Sequence, residues 1–99
     1  MTLLLNTKLE LIKEAQVSLG TLNQSLVHPR EVFQEAIKES AYSVIFIHNH
    51  PSGDPKPSRD DFKVTDRLVK AGEILQIRVN DHIIIGSSTY YSFKDEGHL

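Results

Sequence analysis

The segment from His48 to Asp61 constrains this chain more than any other. It packs Pro51, Gly53, Pro55 and Pro57 between an apolar run and a helix-capping serine. Proline and glycine at that density exclude helix and central strand, so His48–Pro57 is expected to be loop. Tyr42–Ile47, β-branched and aromatic, is expected to be a buried strand leading into it. Ser58 is expected to start a helix running to about Ile74.

The same segment carries the candidate chemistry. His48 and His50, two apart at a strand end, leave the same face. At a strand rise of about 3.3 Å per residue their Cα atoms lie roughly 6–7 Å apart, so two imidazoles can converge on one ion at about 2.0–2.1 Å. Ser58 is a natural N-cap, and Asp61 falls in the first helical turn, where the helix dipole favours an ionised carboxylate. Two histidines and one aspartate leave one tetrahedral position open, which is characteristic of catalytic zinc. Zn²⁺ suits this donor set best, although other divalent ions can occupy it. The plainer reading makes Ser58 and Asp61 a capping pair and the histidines loop residues. The four residues together, with proline directly after the second histidine, favour the metal.

Around this core the elements follow in order. Thr2–Leu5 reads as a short strand, Asn6–Lys8 as a turn and Glu10–Leu19 as a second strand broken at Gly20. Pro29 at a first helical position opens a helix over 29–39, with Val32, Phe33, Ala36 and Ile37 as its apolar stripe. In the later helix Phe62, Thr65, Leu68, Val69 and Ile74 are the expected buried face, with Gly72 a weak point. Ile77–Ile85 and Thr89–Phe93 read as an antiparallel pair around Gly86–Ser88. The order β-β-α-β-α-β-β predicts an α/β (α+β sandwich) fold, a mixed sheet with flanking helices.

At 99 residues the chain is one domain, and with no cysteine it has neither disulfides nor a thiolate cluster. No run approaches a membrane span and the start is not a signal peptide, so no membrane partner and a cytoplasmic location are expected. Lysine and arginine are scattered and net charge is −2, which argues against a strongly basic nucleic-acid groove.

His-x-His-Pro, six residues, then Ser-x-x-Asp resembles the JAMM signature of the MPN/JAB metalloproteases. Within that group GTLNQSLVHPREVF, HNHPSGDPKPS and NDHIIIG resemble the RadC family, and the likeness covers essentially residues 1–99. The resemblance implies a JAB/MPN fold related to cytidine deaminases, zinc on His48, His50 and Asp61, and Ser58 orienting water or stabilising an oxyanion. It also brings a DNA-repair name, the one ground for a nucleic-acid partner. The family's general-base glutamate lies just upstream of a leucine run, here Leu3–Leu5, which puts it before Met1. The expected domain is therefore RadC-like over 1–99 without the N-terminal segment bearing that glutamate. Glu10, Glu14 and Glu31 are expected to face solvent or serve a helix dipole.

Other residues invite plainer readings. His28 is a pre-helix polar residue, His82 a buried histidine paired with a backbone carbonyl, and Asn49 a residue pointing away from its neighbours. Gly53 and Asp54 are turn formers, Tyr90, Tyr91 and Phe93 core or edge, and His98 part of a fraying tail. The expected function is a zinc-dependent peptidase or isopeptidase. The alternative is a non-catalytic metal-binding module recognising a protein or DNA partner, and a weaker third is metal-dependent nucleic-acid chemistry. An exposed edge at Thr2–Leu5 would offer a homodimer contact.

Overall fold

A computed structural model describes residues 1–16 and 27–99. The chain runs through β1 (Thr2–Leu5), β2 (Leu11–Ala15), α1 (Pro29–Val32), α2 (Gln34–Lys38), β3 (Ser43–Asn49), α3 (Arg59–Leu75), β4 (Arg78–Ile85) and β5 (Tyr90–Ser92). Among the described residues the strands form one mixed sheet in the order β2-β1-β3-β4-β5. Only β3 and β4 are parallel, because α3 carries the chain back between them. This is the expected mixed α/β architecture, with an additional break in the first helix.

Alternation along the strands sorts the residues. Leu4, Val44 and Phe46 on β1 and β3, and His82 and Ile84 on β4, are all buried. Val32, Phe33 and Ala36 from the first helices and Val64 and Leu68 from α3 complete the core with Val27, Ala41 and Ile77. Phe33 and Phe46 meet edge to face at 6.0 Å. No helix among the described residues is long and apolar enough to cross a membrane.

Several expectations change. The helix over 29–39 divides at Phe33 (φ −92°, ψ 0°), whose ring is fully buried. Ile37 is 54% exposed, since it sits about 100° round the helix from buried Ala36. Ile74 is likewise exposed, two positions past the buried line Asp61, Thr65, Leu68 and Gly72, and Val64 takes the core place expected of it. His48 and Asn49 are strand, not loop, because they pair with Ile84 and Ile85 of β4. β1 is paired on both sides, by β2 and β3, so the sheet edges are β2 and β5 rather than Thr2–Leu5. His98 is docked, its N–H on the Phe93 carbonyl and its ring against Phe62. The expected run of the second strand to Leu19 and its break at Gly20 lie outside the described residues.

Gly72 is a requirement rather than a weakness. A side chain there would run into the Ile77 carbonyl, where the chain doubles back from α3 into β4. Gln76 makes that reversal in the left-handed conformation, φ 59°, and Ile77 N–H bonds the Gly72 carbonyl at 2.9 Å.

Candidate metal centre

The centre lies where the parallel strands end and α3 begins. In open α/β sheets this carboxyl edge is where strand-end side chains and a helix N-terminus converge. Val44, Phe46 and His48 alternate along β3, so the stripe that builds the core ends in a candidate ligand.

His50, beyond the strand, is placed by its loop. Its N–H bonds the Ile85 carbonyl at 3.1 Å, its carbonyl accepts from Gly53 N, and Gly53 O accepts from Ser87 N of the β4–β5 turn. Gly53 has φ +84°, and a side chain there would strike Ser87. His50 Nδ1 lies 2.8 Å from the Asp54 carbonyl. A carbonyl can only accept, so Nδ1 carries a proton, and the ring is turned with Nε2 towards Asp61.

Asp61 is held by the capping box of α3. Ser58 N–H donates to Asp61 Oδ2 at 2.7 Å, and Asp61 N–H donates to Ser58 Oγ at 3.1 Å. The capping reading is therefore correct as far as it goes. It also leaves the second carboxylate oxygen, Oδ1, facing His48. Ser58 Oγ, used as acceptor, keeps its hydroxyl hydrogen free to donate.

The three side chains meet in a small space. One ligand atom from each of His48, His50 and Asp61 lies within 4.8 Å of the others, so the trio could hold a metal ion. His50 Nε2 is 3.1 Å from Asp61 Oδ2, and His48 Nε2 is 3.8 Å from Oδ1. His48 Nε2 and Asp61 Oδ1 are both buried without a hydrogen-bond partner. Buried polar atoms are rarely left so, and two nitrogen lone pairs around a carboxylate are what a divalent cation satisfies. Burial pushes the His48 imidazole down to about 4, outweighing the attraction of Asp61, so the ring is neutral and ligand-competent at neutral pH.

Two residues that sequence reasoning placed elsewhere belong here. His82 is fully buried, but its partners are side chains rather than a carbonyl. His82 Nε2 lies 2.8 Å from His48 Nδ1, and Nδ1 lies 2.6 Å from Thr65 Oγ1. Its ring stacks on Phe93 at 4.8 Å. Burial first, and then the cost of placing a second positive ring beside His48, pushes it down to about 3. Thr65, read as core, donates to the Asp61 carbonyl at 2.7 Å. The one available signal was an imidazole at an inward position of a strand adjoining His48. Asn49 is exposed, as expected, and His28 makes no side-chain capping bond.

The profile of the RadC-like JAB domain matches residues 1–98. A UPF0758 protein of Trichlorobacter lovleyi is 62% identical over 99 residues, covering 100% of this chain and 43% of that protein. One from Methanosarcina barkeri is 60% identical over 96 residues, 97% of this chain and 42% of the other. One from Clostridioides difficile is 60% identical over 92 residues, 93% and 39%. The chain thus spans about two-fifths of the length of these curated relatives.

Proposed function

The chain belongs to the RadC-like JAB domain family, and on that premise we propose that it is a zinc-dependent hydrolase domain acting on peptide or isopeptide bonds. The observation carrying this reading is the pair of buried, unpartnered atoms, His48 Nε2 and Asp61 Oδ1, beside His50 Nε2. Zinc held by His48, His50 and Asp61 would supply Lewis acidity and activate a water for attack. The Asp54 carbonyl fixes the His50 ring and the Ser58 amide fixes the carboxylate, so the donors are positioned beforehand. The free hydrogen of Ser58 Oγ is available to a developing oxyanion.

Hydrolysis also needs a general base. Among the described residues Asp61 is the one acidic member of the cluster, and it is committed as a ligand. The family's glutamate is the candidate, and proteins of the relatives' length are where activity should be assayed. A non-catalytic metal-binding module remains the alternative for the same site.

The test is metal content by inductively coupled plasma mass spectrometry, with Asp61→Ala alongside, and then peptide and isopeptide hydrolysis by proteins of the relatives' length. About one zinc per chain, lost in the variant, with hydrolysis that chelation abolishes, is expected. Zinc without hydrolysis selects the module, and no uptake after dialysis against zinc refutes the metal reading.

A further inference from the structure

The contacts behind His48 have a direction. Thr65 Oγ1 touches two groups, the Asp61 carbonyl at 2.7 Å and His82 Nδ1 at 2.6 Å. A hydroxyl has one hydrogen, and the carbonyl has none to give. The Thr65 hydrogen therefore points to Asp61 O, and Thr65 Oγ1 must accept from His82 Nδ1–H. With that proton on Nδ1, neutral His82 presents a lone pair at Nε2, and His48 must donate to it from Nδ1. His48 Nε2 is then bare, facing Asp61 Oδ1. The mirrored arrangement would set the Thr65 and Asp61 oxygens lone pair to lone pair and put a proton on His48 Nε2, where the metal has to bind.

We propose that Thr65 and His82 are positioning residues that select the metal-binding tautomer of His48, with the backbone carbonyl of Asp61 as the fixed point of the chain. The relay closes on itself: Asp61 gives its carboxylate to the ion and its carbonyl to the threonine that sets the opposite ligand. Phe93, stacked on His82, and Phe46, edge-on to it at 6.3 Å, hold the ring in plane and keep water from replacing either partner. Residues acting through a ligand in this way typically change metal affinity about 10–100-fold when lost. The inference rests on the metal reading above for its purpose, but the tautomers exist without metal.

The test therefore begins on metal-free, ¹⁵N-labelled protein at pH 8, where long-range ¹H–¹⁵N correlations report which ring nitrogen carries each proton. The wild type is expected to show His82 and His48 both protonated at Nδ1. Thr65→Val keeps the side-chain shape and removes the acceptor, so His82 is expected to move its proton to Nε2 and His48 to follow. Zinc affinity, measured by chelator competition, should then fall about 10–100-fold. Thr65→Ser restores the hydroxyl and should restore both readings. Circular dichroism and thermal melts of all three proteins separate loss of fold from loss of relay. A wild-type His48 protonated at Nε2 overturns the proposal, as does a folded Thr65→Val protein with unchanged tautomers and affinity. Wild-type tautomers as expected but no zinc uptake would refute the metal reading instead, and with it the purpose assigned to the relay.

Discussion

Asp61→Asn should separate the folding role of this side chain from its ligand role. In the metal-free protein at pH 8 burial keeps His48 neutral, and His48 Nε2 and Asp61 Oδ1 face each other as two acceptors. An asparagine can keep the bond from Ser58 N–H through its oxygen and turn its amide towards His48. Relief of a buried unsatisfied acceptor is worth about 1–3 kcal/mol. Against it stand about 1 kcal/mol for exchanging a charge-assisted bond for a neutral one and about 0.3–1 kcal/mol of helix-dipole interaction. The variant should therefore melt near the wild type, within about 1 kcal/mol, or roughly 4–8 °C for a domain of this size. Asp61→Ala leaves Ser58 N–H without its acceptor and should cost about 2 kcal/mol. Zinc at about a hundred times its Kd should then raise wild-type stability by about 2.7 kcal/mol and leave both variants where they were. Differential scanning calorimetry with and without zinc gives all six melting points. If Asp61→Asn falls as far as Asp61→Ala without metal, the facing acceptors are not the unfavourable contact inferred here. If zinc stabilises all three proteins equally, it binds elsewhere.

Two further expectations concern the histidines behind the centre and the α3–β4 reversal. His82 and His48 titrate in the metal-free fold at about 3 and about 4, against 6.5 for a free imidazole, so between those limits the unfolded chain binds protons that the fold refuses. Their contribution is complete above pH about 6.5 and is lost as pH falls, up to about 2 kcal/mol per ring by pH 5; urea midpoints at pH 7.5 and pH 5 that coincide would refute it. Gly72→Ala improves helix propensity by about 1 kcal/mol but drives a methyl into the Ile77 carbonyl, so a net loss of about 1–3 kcal/mol is expected in urea titrations, and a gain would mean the α3–β4 reversal relaxes freely.

What the sequence revealed of the centre and what it hid have one cause. His48, His50, Ser58 and Asp61 lie within fourteen positions, and each is tied to a local feature: a strand end, a proline-rich loop, a helix cap. Local geometry at that range follows from backbone chemistry, so the ligand trio and its capping box could be read before any tertiary contact was known. The second half of the site depends on register. Thr65 and His82 meet only because α3 returns the chain so that β4 pairs in parallel with β3, setting Phe46 beside His82 and His48 beside Ile84. A one-residue slip would turn His82 to the opposite face of the sheet, and no short-range pattern states which register wins. The errors in the helices have the same origin. Ile37 and Ile74 are apolar enough for the core, but where each helix line meets the sheet decides burial, and that is again a long-range fact. The register that sets Phe46 beside His82 in the core also puts the imidazole of His82 behind His48. Core packing and the proposed relay thereby share one strand pairing, so a change that shifts β4 against β3 should disable metal binding before it unfolds the protein.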